Sequence, residues 1–65
     1  MNTNSIKERI IEELERLGEE AKKEENAGDL DQAIRIFFEM VGLVKALSYM
    51  GYFYYVTSAF EVKEV

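Results

Sequence analysis

Sixty-five residues without cysteine, histidine, proline or tryptophan bound this chain to one small domain, residues 1–65, near the size below which folding needs outside help. Disulfides are excluded, a zinc site lacks its nitrogen and sulfur ligands, and nucleophilic catalysis of the Ser-His or Cys-His kind is impossible. The formal charge of −5, from 13 acidic and 8 basic residues, with no basic run longer than Lys22-Lys23, argues against a nucleic-acid surface, which needs a cationic footprint.

Met1 to Asn4 reads as a polar tail. Ser5-Ile6-Lys7-Glu8 then has the form of a capping box, in which Ser5 would cap a first-turn amide and Glu8 would reach back to the Ser5 amide. The first predicted helix runs from Ile6 to about Ala27. Ile10, Leu14, Leu17 and Ala21 recur at helical steps as one narrow apolar stripe. The rest of the segment is charged, with Glu12–Arg16 and Glu19–Lys23 spaced as favourable pairs four residues apart. Gly18 interrupts it at about 1 kcal/mol relative to Ala. It reads either as a tolerated surface glycine or as a point where another backbone comes close.

Asn26-Ala27-Gly28-Asp29 ends this helix and begins the next. Gly28 suits the left-handed position just past a helix end, and Asp29 with Gln32 three residues on forms a second capping box. So short a connection makes the two helices antiparallel neighbours.

The second predicted helix runs from Leu30 to about Met50, roughly 31 Å at the usual rise, with an extension to about Tyr55 left open. Leu30, Ala33, Ile34, Phe37, Met40, Val41 and Val44 form one face. Ile36, Phe38, Leu43, Leu47 and Met50 occupy most of the rest, leaving a thin polar line through Asp31, Arg35, Glu39 and Tyr49. A helix apolar nearly all round is buried nearly all round, and the first helix covers only one side of it. Gly42, amid packing residues at mid-helix, is expected where another helix backbone crosses, so an added methyl there should overpack the contact.

After Gly51 the pattern changes. Tyr52 to Val56 is aromatic and β-branched, and Phe60-Glu61-Val62-Lys63 alternates with period two, as extended chain does. A lone strand is unstable, so this tail is expected to lie on the helices or pair with another chain. Tyr49, Tyr52, Phe53, Tyr54 and Tyr55 are either a lid on the core or an interaction hot spot. The longest uncharged stretch, Ala46 to Phe60, has fifteen residues, short of the ~20 a membrane helix needs. With no signal-peptide pattern at the start, the expectation is a cytoplasmic protein that enters no membrane.

Counted from Gly28, Asp29 follows at once, Ala33 lies five residues on, Gly42 fourteen and Gly51 twenty-three, with Leu43-Val44-Lys45-Ala46-Leu47 and Tyr49-Met50 between the last two glycines. This arrangement resembles the archaeal family catalogued as domain of unknown function 357, over about Ala21 to Gly51. The chain departs from that pattern at Lys45, where the family has an acidic residue, and at Met50, where it has Leu. The resemblance implies a helical hairpin and an archaeal cytosolic origin, and it supplies no reaction. Ala33-x-x-x-Phe37 after Gly28-Asp29-Leu30 also looks like the second helix of a tetratricopeptide unit, and the same stretch is similar to the microtubule-interacting and transport domain.

Chemistry is sparse. Glu12-Glu13, Glu19-Glu20 and Glu24-Glu25 lie on the charged face, unlike the inward-facing acids of di-iron bundles, and read as solvated surface. Lys45 among apolar neighbours is either a desolvated amine or a lysine reaching for solvent or for a partner's Glu39. The expectation is an all-α antiparallel hairpin, helices about 6–27 and 30–50, with a short extended or irregular C-terminal tail and a core completed by dimerisation. It is a non-enzymatic, self-associating interaction module without metal or cofactor. Its interface residues are Phe37, Phe38, Val41, Gly42, Leu47, Tyr49, Tyr52 and Phe53. The alternative is a monomeric adaptor for a peptide or helix, held beside Phe37, Phe38 and Val41.

Overall fold

A computed structural model describes residues 3–65. The chain forms α1 (Thr3–Asn26), α2 (Leu30–Tyr49), β1 (Tyr54–Val56) and β2 (Val62–Glu64) in that order. The two helices pack side by side as the hairpin that the sequence implies. The tail departs from an all-α fold. Its two extended runs pair with each other, antiparallel, in the register Tyr54↔Glu64, Tyr55↔Lys63 and Val56↔Val62.

α1 begins earlier than expected. Met1 and Asn2 of the expected tail lie outside the described residues, while Thr3 and Asn4 already belong to the helix. Ser5 therefore sits inside the first turn and is not the residue that caps it. A Ser-x-x-Glu pattern marks a helix start, but it fixes the boundary only to within a few residues. The stripe is where the period puts it: Leu14, Leu17 and Ala21 are buried, with Ile10 half-buried.

The turn between the helices is a complete Schellman motif. The Asp29 amide donates to the Glu24 carbonyl (2.8 Å) and the Gly28 amide to the Glu25 carbonyl (3.0 Å). Gly28 takes the left-handed conformation, φ 85°, that the motif requires. Asp29 then caps α2, its Oδ1 accepting from the Gln32 amide at 3.1 Å. The reciprocal half of the capping box is absent because the Asp29 amide is already given to Glu24. The same motif closes α2. Tyr52 donates to the Leu47 carbonyl (3.0 Å) and Gly51 to that of Ser48 (3.1 Å), with Gly51 at φ 91°. This stops α2 at Tyr49, one residue short of the expected Met50, and rules out its continuation to Tyr55.

α2 divides the face named from its sequence, turning part of it inward and part outward. Ala33, Ile36, Met40 and Leu47 are buried, whereas Leu30, Ile34 and Val41 are exposed. With apolar residues all round the helix, the period carried too little contrast to choose a face.

The hairpin supplies the remaining core residue, Phe60, only 8% exposed. The Phe60 amide donates to the Thr57 carbonyl (3.0 Å) and the Thr57 amide to the Glu61 carbonyl (2.8 Å). The Thr57 hydroxyl oxygen accepts from the Ala59 and Glu61 amides, both at 3.2 Å. Phe60 occupies the left-handed position of this turn, φ 62°, where Gly or Asn is usual. That conformation costs about 1–2 kcal/mol for a residue with a Cβ, and burying a phenylalanine side chain returns about 1.5–3 kcal/mol. Its ring meets Phe37 edge-on, centroids 6.3 Å apart.

The Phe60 carbonyl lies directly over Gly18. A Cβ there would fall inside contact distance of that oxygen and 3.4 Å from the Met40 methyl. Gly18 is thus the point of close backbone approach, the second of its two readings. At Gly42 an added Cβ would meet nothing of this chain within 4 Å, so the crossing expected there does not occur within the chain.

The two glycines should respond with opposite sign. Gly18→Ala should lower the chain's own stability by about 1–3 kcal/mol, because a backbone carbonyl must shift. Gly42→Ala should raise it by up to about 1 kcal/mol, the helix-propensity difference. Urea denaturation of dilute protein measures both.

Candidate functional site

The side of α2 turned away from α1 carries Leu30, Ile34, Phe38, Val41 and Tyr49, all exposed. At 100° per residue they fall within one stripe along the whole helix. Phe38 is 66% exposed and Tyr49 79%, large values for such side chains. Lys45 lies within the stripe and is exposed, and Gly42 stands at its margin. Asp31, Arg35 and Glu39, all exposed, follow the polar flank.

Phe38 is held in place from below. Its ring meets Phe37 edge-on, centroids 6.1 Å apart and planes at 69°, and Phe37 rests in turn on Phe60. Such edge contacts contribute about 0.5–1.5 kcal/mol beyond area burial. Three rings therefore run from the core to the surface, and the outermost is oriented before anything binds it.

The expected interface residues divide accordingly. Phe38, Val41, Gly42, Tyr49 and Phe53 are exposed, while Phe37 and Tyr52 are half-buried. Leu47 is fully buried in the core at 0% exposure. It belongs to the inward face, so its own chain covers it and it offers nothing to a partner. Leu30 and Ile34 belong to the surface instead. Their spacing of eight and four residues from Phe38 is visible in the sequence, but with apolar residues all round the helix it does not say which face looks outward.

The aromatic cluster is split by strand alternation. Tyr52 and Tyr54 pack against the core, and the Lys7 ammonium stands 4.5 Å from the Tyr52 ring centroid and 6.0 Å from that of Tyr54. Phe53 and Tyr55 point outward. One half of the cluster closes the core and the other half is surface.

The charged side of α1 holds its ion pairs in a different pattern from the one expected. Arg16 pairs with Glu13 and, at 3.2 Å, with Glu20, and Lys22 pairs with Glu19 at 3.6 Å. The hydrogen bond from Arg16 holds the Glu13 carboxyl below the usual carboxylate range. An open cleft of about 320 Å³ lies between α1 and β2, lined by Glu15, Gly18, Glu19, Lys22, Phe60, Glu61 and Val62. Among the described residues no group of three or more acidic side chains is placed to hold a metal ion. No helix among them is long and apolar enough to cross a membrane.

Compared with protein-family models, curated proteins and solved structures, the chain matches none. The resemblance to domain of unknown function 357 rests on the glycine and small-residue spacing alone.

The depressed Glu13 pKa has a definite sign. A carboxyl with a lowered folded-state pKa stabilises the fold above its unfolded value and loses that effect as the pH falls through the folded one. Arg16→Ala should therefore lower the melting temperature slightly at neutral pH. In strong acid, where Glu13 is protonated in both proteins, this part of the difference should disappear.

Proposed function

We propose that the protein is a non-enzymatic helical interaction module that associates with a second copy of itself through the exposed face of α2. The observation that carries this reading is the stripe Leu30, Ile34, Phe38, Val41 and Tyr49. Covering these side chains in two copies removes on the order of 1,000 Å² of surface, the lower edge of what stable interfaces bury. Aromatic anchors dominate such contacts when their rotamers are already fixed, and the Phe60–Phe37–Phe38 relay supports that role for Phe38. Joining two hairpins along this face gives a four-helix arrangement, with α1 of each copy on the outside.

The same reading takes the protein as cytoplasmic and without cofactor, and treats the hairpin as the kind implied by the archaeal family that it resembles. The acid–base inventory supports no reaction. There is no histidine or cysteine, and Glu13, Glu19 and Glu20 of α1 are engaged in surface ion pairs.

Sedimentation equilibrium tests the proposal. The wild-type chain is expected at twice its 7.6 kDa mass at micromolar concentration. Phe38→Glu is expected at the single mass with its helix content unchanged, because Phe38 contributes surface rather than core. A wild-type protein that stays at 7.6 kDa throughout would overturn self-association and leave this face to a foreign helix.

A further inference from the structure

A two-fold interface must complement itself: whatever one copy presents on one side of the axis, it must match on the other. The α2 stripe has this property about one residue. Phe38, the most exposed large side chain in the middle of the helix, stands seven residues from Asp31 and seven from Lys45. It also stands four residues from Ile34 and four from Gly42. Seven residues are close to two helical turns and four are just over one, so all these positions return to the same side of the helix.

We infer that two copies pair antiparallel, with the two-fold axis at Phe38, so that Lys45 of each meets Asp31 of the other and Ile34 of each packs over Gly42 of the other. The inference rests on the self-association proposed above and specifies its geometry. It accounts for two features that the isolated chain leaves without a partner. Lys45 is a positive charge inside the apolar stripe, and an acidic residue at the mirrored position neutralises it. Gly42 has open space where a Cβ would stand, although glycine weakens a helix. The missing side chain leaves room for Ile34 of the second copy. An axis at Gly42 sets Lys45 against Glu39, but it overlaps only residues 35–49 of the two helices and leaves Leu30 and Ile34 uncovered; two further arrangements fail on charge. Moving the axis two residues toward Gly42 sets Lys45 against Arg35, and a parallel pairing sets Lys45 against Lys45. The axis at Phe38 also overlaps residues 30–46 of both helices, about 25 Å at 1.5 Å per residue, and places Tyr49 at the rim, against the turn that precedes α2 of the other copy.

Charge reversal tests the register. Lys45→Asp and Asp31→Lys, each alone, should weaken association by about tenfold or more, because each places like charges face to face twice in the dimer. Mixing the two variants in equal amounts should restore wild-type affinity as a mixed dimer, since both contacts then join Asp to Lys. The double variant should restore it alone. Circular dichroism accompanies each measurement, because Asp31→Lys also removes a favourable charge from the N-terminus of α2. Gly42→Ala should weaken association several-fold while the dilute chain melts higher. If the wild type dimerises and the single variants bind as well as it does, or if mixing rescues nothing, this register is wrong and self-association stands. A wild type that is monomeric, with variants that fail to associate when mixed, overturns both.

Discussion

The structure depends on the contact between the Phe60 carbonyl and the bare backbone of Gly18. A two-stranded hairpin with three-residue strands has too little pairing to persist alone, and a two-helix hairpin of this length buries too little to be secure. Each supplies what the other lacks. The hairpin turn holds Phe60 in a backbone conformation that side chains avoid, and this drives the ring between the helices. The missing side chain at Gly18 lets the turn settle low enough for the ring to reach Phe37. With a larger residue at position 18, the hairpin would ride higher and the ring would withdraw. The rings of Phe60, Phe37 and Phe38 then connect this seating to the outer face of α2, so the contact that closes the core also orients the aromatic residue at the centre of the candidate interface.

Much of this architecture was legible in the sequence, where the signal was local. The α1 stripe needed only its period, because the rest of that helix is charged and the contrast is strong. The turn needed only Gly28 and Asp29, whose roles follow from backbone geometry and one side-chain oxygen. The inward face of α2 was not legible, because Leu30, Ile34 and Val41 look as suited to a core as Ile36, Met40 and Leu47. The choice was made by where α1 and the hairpin lie. The hairpin was half-visible. Its strands have the right composition, but Thr57-Ser58-Ala59-Phe60 carries none of the Asn-Gly or Asp-Gly chemistry that announces a tight turn. Its αL residue is a phenylalanine held there by non-local burial. Gly18 shows the same limit, since the atom that requires it is more than forty residues away in the chain.

The candidate site followed the same division. Phe38, Val41, Tyr49 and Phe53 were recognisable as large side chains in excess of what one helix could cover. Leu47 carries the same signal in the sequence, yet it lies in the core. Whether a given apolar residue of α2 faces in or out differs by about half a turn, and composition does not record half a turn.

The buried residues of the helical hairpin are unevenly placed, and this bears on how the molecule opens. On α1 the last is Ala21 and on α2 the first is Ala33; from Lys22 to Gln32 nothing is buried. The tip is held by its backbone motif, the Asp29 cap and, at its edge, the Lys22–Glu19 ion pair, without apolar packing beneath it. Each helix is continuous in hydrogen bonding yet uneven in protection. Amide exchange at the tip can proceed by local fraying, while exchange near Leu14, Met40 and Leu47 requires the whole core to come apart. Leu30 and Asp31 lie on this loosely held end, so a second copy seated there would slow exchange most where the single chain resists it least.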